Sequence, residues 1–173
     1  MFTVGQFEKV SFRQFQEDIR KDRLLGYLTD AELVSIYTDI QLPQRSTTKS
    51  AGYDFRSPFS FRLLPKESIK IPTGIRVKID DGWWLGCFPR SSLGFKYRLQ
   101  LDNTIGVIDP DYYNSDNEGH IFVKITNDNN DGEVVVIDAG DKFMQSIFIP
   151  FGITDDDNVT TLRNGGMGST GTK

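Results

Sequence analysis

The chain has 173 residues, of which 38% are hydrophobic and 25% charged. This composition predicts one globular domain with a real core and an appendage. The formal net charge of −4 argues against broad, non-specific binding of nucleic acid, which needs a basic face, but allows a few Arg and Lys to hold a small anion.

Cys87 is the only cysteine and His120 the only histidine, which excludes an intrachain disulfide and leaves no Cys/His set for zinc. Cys87 lies in an apolar run, so we predict a buried, inert thiol. The sequence has no apolar run of 18 residues and no basic segment followed by an apolar one at its start. We therefore expect no membrane span, no signal peptide and a cytoplasmic location.

The first segment has a helical pattern. Ser11 and Gln14 have the spacing of a capping box, and apolar residues then recur at helical spacing as far as Leu25. This predicts an amphipathic helix over residues 11–25.

A second capping box, formed by Thr29 and Glu32, predicts a short helix over 30–35. We therefore predict that residues 1–36 form an N-terminal helical appendage. It is expected to pack on the main domain, and a partner-binding helix is the alternative.

From about residue 36 the pattern changes to short apolar stretches separated by turn residues. Many short strands at close spacing predict an antiparallel sandwich or barrel over 37–162. The predicted strands are 69–71, 75–79, 83–88, 121–126, 134–137 and 143–149.

Two segments in this region offer groups for a phosphate or a metal. Asp54 follows a tight turn, where a solvated turn carboxylate is the alternative. Arg90, Ser91 and Ser92 follow the strand predicted at 83–88, and they suit either a phosphate grip or a capped turn.

The stretch 103–112 is the most informative. Asp109 follows an apolar strand, so its carboxylate should lie at the rim of the core, where it can hold and deprotonate a water. Tyr112 offers a flat face to a sugar ring, and a turn with two solvated Asp is the alternative reading. Gln145, at the start of the last strand, can donate to a phosphate oxygen or simply begin a hairpin.

Residues 163–173 contain four glycines, one serine and two threonines. Such a segment is not expected to hold a fixed structure alone, and composition favours a disordered C-terminus. The same residues also supply backbone N–H groups and hydroxyls that can wrap a phosphate chain.

Together and in this order, the five segments resemble the five motifs of the trimeric dUTP diphosphatase (dUTPase) family, over residues 36–173. The stretch 97–120 and the tail resemble a subgroup common in Firmicutes and their phages. The resemblance implies a mainly β, jelly-roll-like antiparallel β-barrel and a homotrimer with active sites shared between subunits. It also implies Mg²⁺-dependent hydrolysis of dUTP to dUMP and pyrophosphate, which keeps uracil out of DNA and supplies dUMP for thymidylate synthesis.

The resemblance also implies residue roles. Asp109 would activate the attacking water, Tyr112 would stack under the deoxyribose, and Asp54 would hold Mg²⁺ through a water. The hairpin that reads uracil would include Asn103, Gly106 and Ile108. The phosphates would be contacted by Arg90, Ser91, Ser92 and, near the α-phosphate, Gln145. A closing tail, residues 163–173, would use Arg163, Met167, Gly168, Ser169 and Thr170.

The sequence departs from the family pattern in three places. Met167 stands where the family usually has a Phe that stacks on uracil, so weaker stacking is expected. Arg163 is one residue nearer the glycine pair than is common. Residues 114–117 look like an inserted loop, and we predict a structural rather than catalytic role for His120 beside it.

Two alternatives are left open. A dCTP deaminase of the same superfamily would need a Glu proton shuttle and an Ala-His-Arg-like stretch, where this chain has Leu101-Asp102-Asn103-Thr104. A nucleotide-gated regulator would use dUTP binding to change its affinity for an unidentified protein partner. Residues 113–120 and the N-terminal helix are its candidate contact surfaces.

Overall fold

Short antiparallel strands make up most of the molecule, which a computed structural model describes for residues 3–22, 24–161, 163 and 165. The strands in these ranges are β1 Gly5–Lys9, β2 Gln44–Arg45, β3 Tyr53–Arg56, β4 Phe61–Leu63, β5 Ser68–Pro72, β6 Ile75–Ile79, β7 Trp83–Pro89, β8 Leu99–Leu101, β9 Gly106–Ile108, β10 Phe122–Asn127, β11 Val135–Ile137 and β12 Lys142–Pro150. The helices are α1 Phe12–Arg20, α2 Asp30–Asp39, α3 Ser91–Tyr97 and the 3-10 helix Pro110–Asn114.

The largest sheet has five strands in the order β2-β3-β12-β7-β9, and a second has the order β5-β10-β8. Two further pairs, β1-β6 and β11-β4, complete the strand pairing in the described ranges, and every pairing is antiparallel. Each strand predicted from the sequence is present to within a residue or two. The prediction of a mainly β, antiparallel fold is therefore confirmed.

The alternation that predicted the strands also explains their packing. In β6 the side chains of Ile75, Val77 and Ile79 are buried, while the intervening charged residues are more accessible, as a half-buried strand requires. Phe15, Phe55 and Phe143 are at most 1% exposed and fill the core with the aliphatic residues of these strands. Part of the phenylalanine content therefore serves aromatic packing.

The N-terminal helix is shorter than predicted. Ser11 caps α1 as expected, since its hydroxyl accepts from the Gln14 amide. The capping box is not completed, because the Gln14 side chain bonds Asp18 and the Ser11 amide bonds Glu118, and the helix ends at Arg20. The Arg20 guanidinium donates to the carbonyls of Gly26 and Leu28 and so closes a turn after the helix. Leu25 is buried within this turn, which accounts for the apolar spacing that extended the prediction to 25.

The rest of the N-terminal segment also differs from a purely helical appendage. The capping box of Thr29 and Glu32 is formed, but α2 continues to Asp39, beyond the predicted end. β1 was not predicted, and it pairs with β6. Because Phe7 in β1 packs against Phe55 at 5.7 Å between ring centroids, the segment is joined to the β fold by strand pairing as well as by helix packing.

None of the helices in the described ranges has the length and apolar character needed to cross a bilayer.

Candidate active site

Strand register brings the first group of candidate residues together. In the five-stranded sheet Asp54 on β3 lies opposite Gln145 on β12, and Gln145 in turn lies opposite Phe88 on β7. Directly opposed residues present their side chains on the same face. Arg90 follows the end of β7, so three predicted residues from distant parts of the sequence meet at this end of the sheet.

The Asp54 carboxylate is almost surrounded by donors. Lys142 Nζ lies 2.7 Å from one of its oxygens, Arg90 Nε lies 3.2 Å from the other, and the Ser46 hydroxyl donates at 2.6 Å. Burial works to raise the pKa of Asp54, but the hydrogen bonds from Lys142 and Ser46 and the charge of Arg90 outweigh it and lower the pKa. The result is a fixed anion held between two cations, which we call the Asp54 cluster (Asp54, Arg90, Lys142, Ser46).

Sequence reasoning missed Lys142 and Ser46. Lys142 and Gln145 are three residues apart, and in a regular strand they would point to opposite faces. A register shift between Lys142 and Met144 breaks this alternation, and Lys142 can reach Asp54 beside Gln145. A bulge of this kind has no recognisable pattern in the local sequence. Sequence reasoning therefore singled out Gln145 and not Lys142.

A hydrogen bond joins Gln145 to the last residue of β7. Gln145 Nε2 donates to the Pro89 carbonyl at 3.2 Å. A Cβ on Gly52 would lie 2.8 Å from Gln145 Oε1, so the glycine in the turn before Asp54 gives that side chain room. Ser91 and Ser92 begin α3 and are exposed, and their hydroxyls are thus accessible next to Arg90.

The second group of residues lies on the connection between β8, which pairs with β10, and β9, which pairs with β7 in the five-stranded sheet. Thr104 has a φ of +66° in the turn, and its amide donates to the Leu101 carbonyl at 2.9 Å. A Cβ on Gly106 would lie 2.9 Å from Cys87 Cβ, so glycine allows β9 to approach β7 closely. The predicted hairpin is therefore wrong as a strand pair, because β8 and β9 belong to different sheets, but its glycine has a packing reason.

Two cavities share the residues of this connection as part of their walls. One, of about 390 Å³, is mostly apolar and is lined by Asn103, Gly106 and Ile108 among others. The other, of about 320 Å³, is lined by Asn103, Ile105, Val107, Ile108, Asp109, Tyr112 and Arg163. The predicted base-reading residues and the predicted catalytic carboxylate therefore border adjoining spaces.

Asp109 follows β9 and precedes the 3-10 helix, which begins with Pro110. Its side chain is 46% exposed, at the rim of the core as predicted. Arg163 donates to Asp109 at 2.8 Å and to Asp111 at 2.9 Å. With the guanidinium carbon 5.8 Å from the centre of the Tyr112 ring, these four side chains form what we call the Asp109 cluster (Asp109, Asp111, Tyr112, Arg163).

The two clusters do not meet within one chain. Asp54 is level with Phe88 of β7, whereas Ile108, next to Asp109, is level with Leu85. With about 4.8 Å between strands and about 3.3 Å per residue along them, the Cα atoms of Asp54 and Asp109 are roughly 20 Å apart. Within one chain, the residues predicted to contact the metal and the phosphates therefore lie far from Asp109, the predicted catalytic base.

The remaining predictions have mixed outcomes. Cys87 is buried, as predicted, and this burial raises the pKa of its thiol to about 12. His120 is completely buried and makes structural contacts, as predicted. The tail residues Met167, Gly168, Ser169 and Thr170 lie outside the described residues.

Comparison with known proteins agrees with these observations. The sequence model of the dUTPase family matches residues 38–173. The deoxyuridine 5'-triphosphate nucleotidohydrolase of Lactococcus lactis is 42% identical over 145 residues, which cover 81% of this chain and 95% of that protein.

Solved structures extend the comparison to the fold. The dUTPase of Streptococcus mutans matches with a TM-score of 0.62 at 31% identity, over 86% of this chain and 98% of that one. A dUTPase from phage phi11 of Staphylococcus aureus, described with a structural Mg(II) ion, shares the fold with a TM-score of 0.62 at 20% identity, over 92% of this chain and 98% of its own. The chain therefore belongs to the dUTPase family of nucleotidohydrolases, with similar members in Lactococcus lactis and Streptococcus mutans.

Proposed function

We propose that this chain converts dUTP to dUMP and pyrophosphate with Mg²⁺, in a homotrimer whose active sites join the Asp54 cluster of one subunit to the Asp109 cluster of another. The observation that carries the proposal is the separation of the two clusters, roughly 20 Å along and across the sheet. A base that activates water must lie within hydrogen-bond reach of it, and the water must lie about 3 Å from phosphorus. A neighbouring subunit can supply that proximity.

Asp109 is the proposed base. Its half-exposed carboxylate takes a proton from a water, the water oxygen bonds to the α-phosphorus, and the bond from that phosphorus to the bridging oxygen breaks. Pyrophosphate leaves with the bridging oxygen and its electron pair. Asp109 suits this role because it lies at the mouth of a cavity and is accessible to solvent.

The connection from β8 to β9 is the proposed base-reading element. Asn103, Gly106 and Ile108 line the mostly apolar cavity of about 390 Å³, in which unpaired polar edges of a wrong base would be costly. Tyr112 lines the adjoining cavity, and its ring supports the deoxyribose. A tight contact at the ring excludes a 2′-hydroxyl.

The phosphates are assigned to the other cluster. Arg90 can fork onto phosphate oxygens, and the exposed hydroxyls of Ser91 and Ser92 add donors beside it. Gln145 donates near the α-phosphate. To these sequence-based assignments we add Lys142, whose ammonium group lies 2.7 Å from Asp54 and contributes positive charge to the same region.

Mg²⁺ fits this arrangement as a nucleotide-bound ion. Within the described ranges no three His, Cys, Asp or Glu side chains come together as metal ligands, and a triphosphate supplies most of the oxygen ligands that Mg²⁺ prefers. Asp54, an anion among cations, can hold a metal-bound water. When bound, the metal neutralises charge on the phosphates and orients them.

Several predictions from the sequence are retained as parts of this proposal. The tail, with Arg163, Met167, Gly168, Ser169 and Thr170, closes over the nucleotide. We also propose a cytoplasmic location and a role in keeping uracil out of DNA. The proposed parts of the chain are residues 1–36, 37–162 and 163–173.

A mixing experiment tests the shared site. At a Mg²⁺ concentration that gives half-maximal activity of the wild type, pure Asp54→Asn and pure Asp109→Asn are each expected to retain only a small fraction of wild-type activity. Mixed, unfolded and refolded together, they should regain a substantial fraction of wild-type pyrophosphate release, because some sites then combine an intact Asp54 with an intact Asp109. A mixture of Asp109→Asn with Asp109→Ala is the matched control and should stay inactive.

Lack of recovery in the first mixture, with trimers formed, would place both clusters in one subunit's site. Ammonia release from dCTP by the wild-type protein would instead favour a deaminase.

A further inference from the structure

His120 is held at both ring nitrogens inside the protein. The Gly74 amide donates to Nε2 at 2.8 Å, so the ring must donate from Nδ1 to Asp18 Oδ2, which lies 2.7 Å away. His120 is 0% exposed, and Asp18, on α1, is 8% exposed. The imidazole thus bridges the N-terminal helix and the turn between β5 and β6.

The Asp18 end of this bridge is itself well satisfied. Gln14 Nε2 donates to the same carboxylate oxygen at 2.9 Å. Burial works to raise the pKa of Asp18, but the hydrogen bonds from His120 and Gln14 outweigh it and lower the pKa. The carboxylate therefore stays an acceptor for the ring.

The backbone of His120 is hydrogen-bonded to Tyr112, a residue of the Asp109 cluster. The Tyr112 hydroxyl donates to the His120 carbonyl at 2.7 Å and accepts from Asn117 Nδ2 at 2.9 Å. Ser115 Oγ donates to the Tyr112 carbonyl at 2.7 Å. Both the ring end and the backbone of Tyr112 are therefore fixed by residues 113–120.

The same loop is tied to the N-terminal segment at a second point. Glu118 accepts from both the amide and the hydroxyl of Ser11, each at 2.7 Å. Ser11 is also the residue that caps α1. Helix α1 therefore contacts residues 113–120 at two points, at its start through Ser11 and on its buried face through Asp18. These are the residues that hold Tyr112 in place.

We propose that His120 is a positioning residue for Tyr112, and that the Asp18–His120 pair makes α1 part of the apparatus that distinguishes deoxyribose from ribose. This inference rests on the proposed function, in which Tyr112 supports the sugar. The argument is geometric: the Tyr112 ring is 4% exposed, and its hydroxyl donates to the His120 carbonyl and accepts from Asn117, so a shift of that carbonyl removes one of the two hydrogen bonds that hold the ring. The His120 side chain fixes the residue through other partners, Gly74 and Asp18.

The test compares kcat/KM for dUTP with kcat/KM for UTP. This ratio does not depend on how much of a preparation is folded, so a loss of stability alone leaves it unchanged. His120→Leu, which removes both ring contacts, and Tyr112→Phe, which keeps the ring but removes its hydroxyl, should each lower the preference for dUTP roughly 3- to 10-fold, the size of one lost hydrogen bond.

Conservative variants and a control sharpen the test. His120→Asn keeps a donor toward Asp18 and should retain most of the preference. His120→Leu combined with Tyr112→Phe should lower it little more than either change alone, because both act through one network. Asn129→Ala removes an equally buried side chain that bonds Asn127 at 2.6 Å in a different turn. It should cost stability but leave the preference at the wild-type value.

Two outcomes separate this inference from the proposed function. If Tyr112→Ala leaves the preference unchanged, the proposed sugar contact itself is wrong. If Tyr112→Ala lowers the preference but His120→Leu and Tyr112→Phe do not, only the positioning role is overturned. Should His120→Leu fail to fold, Tyr112→Phe and Asp18→Asn decide the question by the same ratio.

Discussion

Asp54 and Asp109 are both carboxylates paired with an arginine, yet their surroundings differ. Asp54 lies on a strand inside the five-stranded sheet, is 11% exposed, and has two cations and a hydroxyl around it. Asp109 lies just beyond the edge strand β9, is 46% exposed, and shares Arg163 with Asp111. The comparison teaches that the interior of the sheet fixes an anion among its partners, whereas its edge presents a carboxylate to water. The first suits a charge partner for metal and phosphate, and the second suits a base.

The largest expected effect is at Asp109. Asp109→Asn should lower kcat for dUTP about 10²- to 10⁴-fold, the usual contribution of a general base, while nucleotide binding persists. Pyrophosphate release and equilibrium binding of dUTP measure the two quantities.

Asp111→Asn is the matched control, since Asp111 contacts the same arginine at nearly the same distance. It should change kcat only slightly. An equal loss in both variants would mean that pairing with Arg163, and not proton removal, is what matters at Asp109.

The next effect concerns the metal. Asp54→Asn should raise the Mg²⁺ concentration needed for half-maximal activity about 10- to 100-fold, the range seen when a residue that supports a metal through another ligand is lost. A titration of activity with Mg²⁺ at saturating dUTP measures it. Asp155→Asn, in an exposed segment, is the control. An unchanged Mg²⁺ requirement in Asp54→Asn would remove Asp54 from the metal's surroundings.

The smallest effect is on stability in acid. The pKa of Asp54 is lowered on folding, so as pH falls the unfolded chain binds this proton first. The contribution of Asp54 to the free energy of unfolding is therefore present above its ordinary pKa of 3.8 and is lost as the pH falls through the lower folded value.

Urea titrations measure the free energy of unfolding, which should change less with pH in that window for Asp54→Asn than for the wild type. The difference should be less than about 1 kcal/mol, as is usual for partly exposed ion pairs. Asp109→Asn serves as the comparison variant. If the free energy of unfolding of Asp54→Asn instead fell more steeply with falling pH than that of the wild type, a lowered pKa of Asp54 in the folded protein would be contradicted.

Much of the fold could be predicted because its signals are local. The burial of β6 and β10 alternates along each strand, as their sequence pattern predicts. Ser11 and Thr29 predict two helix starts, which the structure confirms. The end of α1 could not be predicted, since it depends on a guanidinium that bonds carbonyls in a later turn. β1 escaped notice because its pairing with β6 joins residues that are distant in sequence.

By itself, the sequence determined which chemical groups are available: the order of the motifs, the carboxylates, the candidate phosphate-binding side chains and the single thiol. Tertiary structure alone decided how they are grouped. It placed Lys142 on Asp54 through a break in strand register, set Asp54 and Asp109 far apart, and connected Asp18 to Tyr112 through His120. The physical reason is that periodicity and capping act over a few neighbouring residues, whereas register, bulges and buried hydrogen bonds join residues about a hundred positions apart, which local patterns do not record.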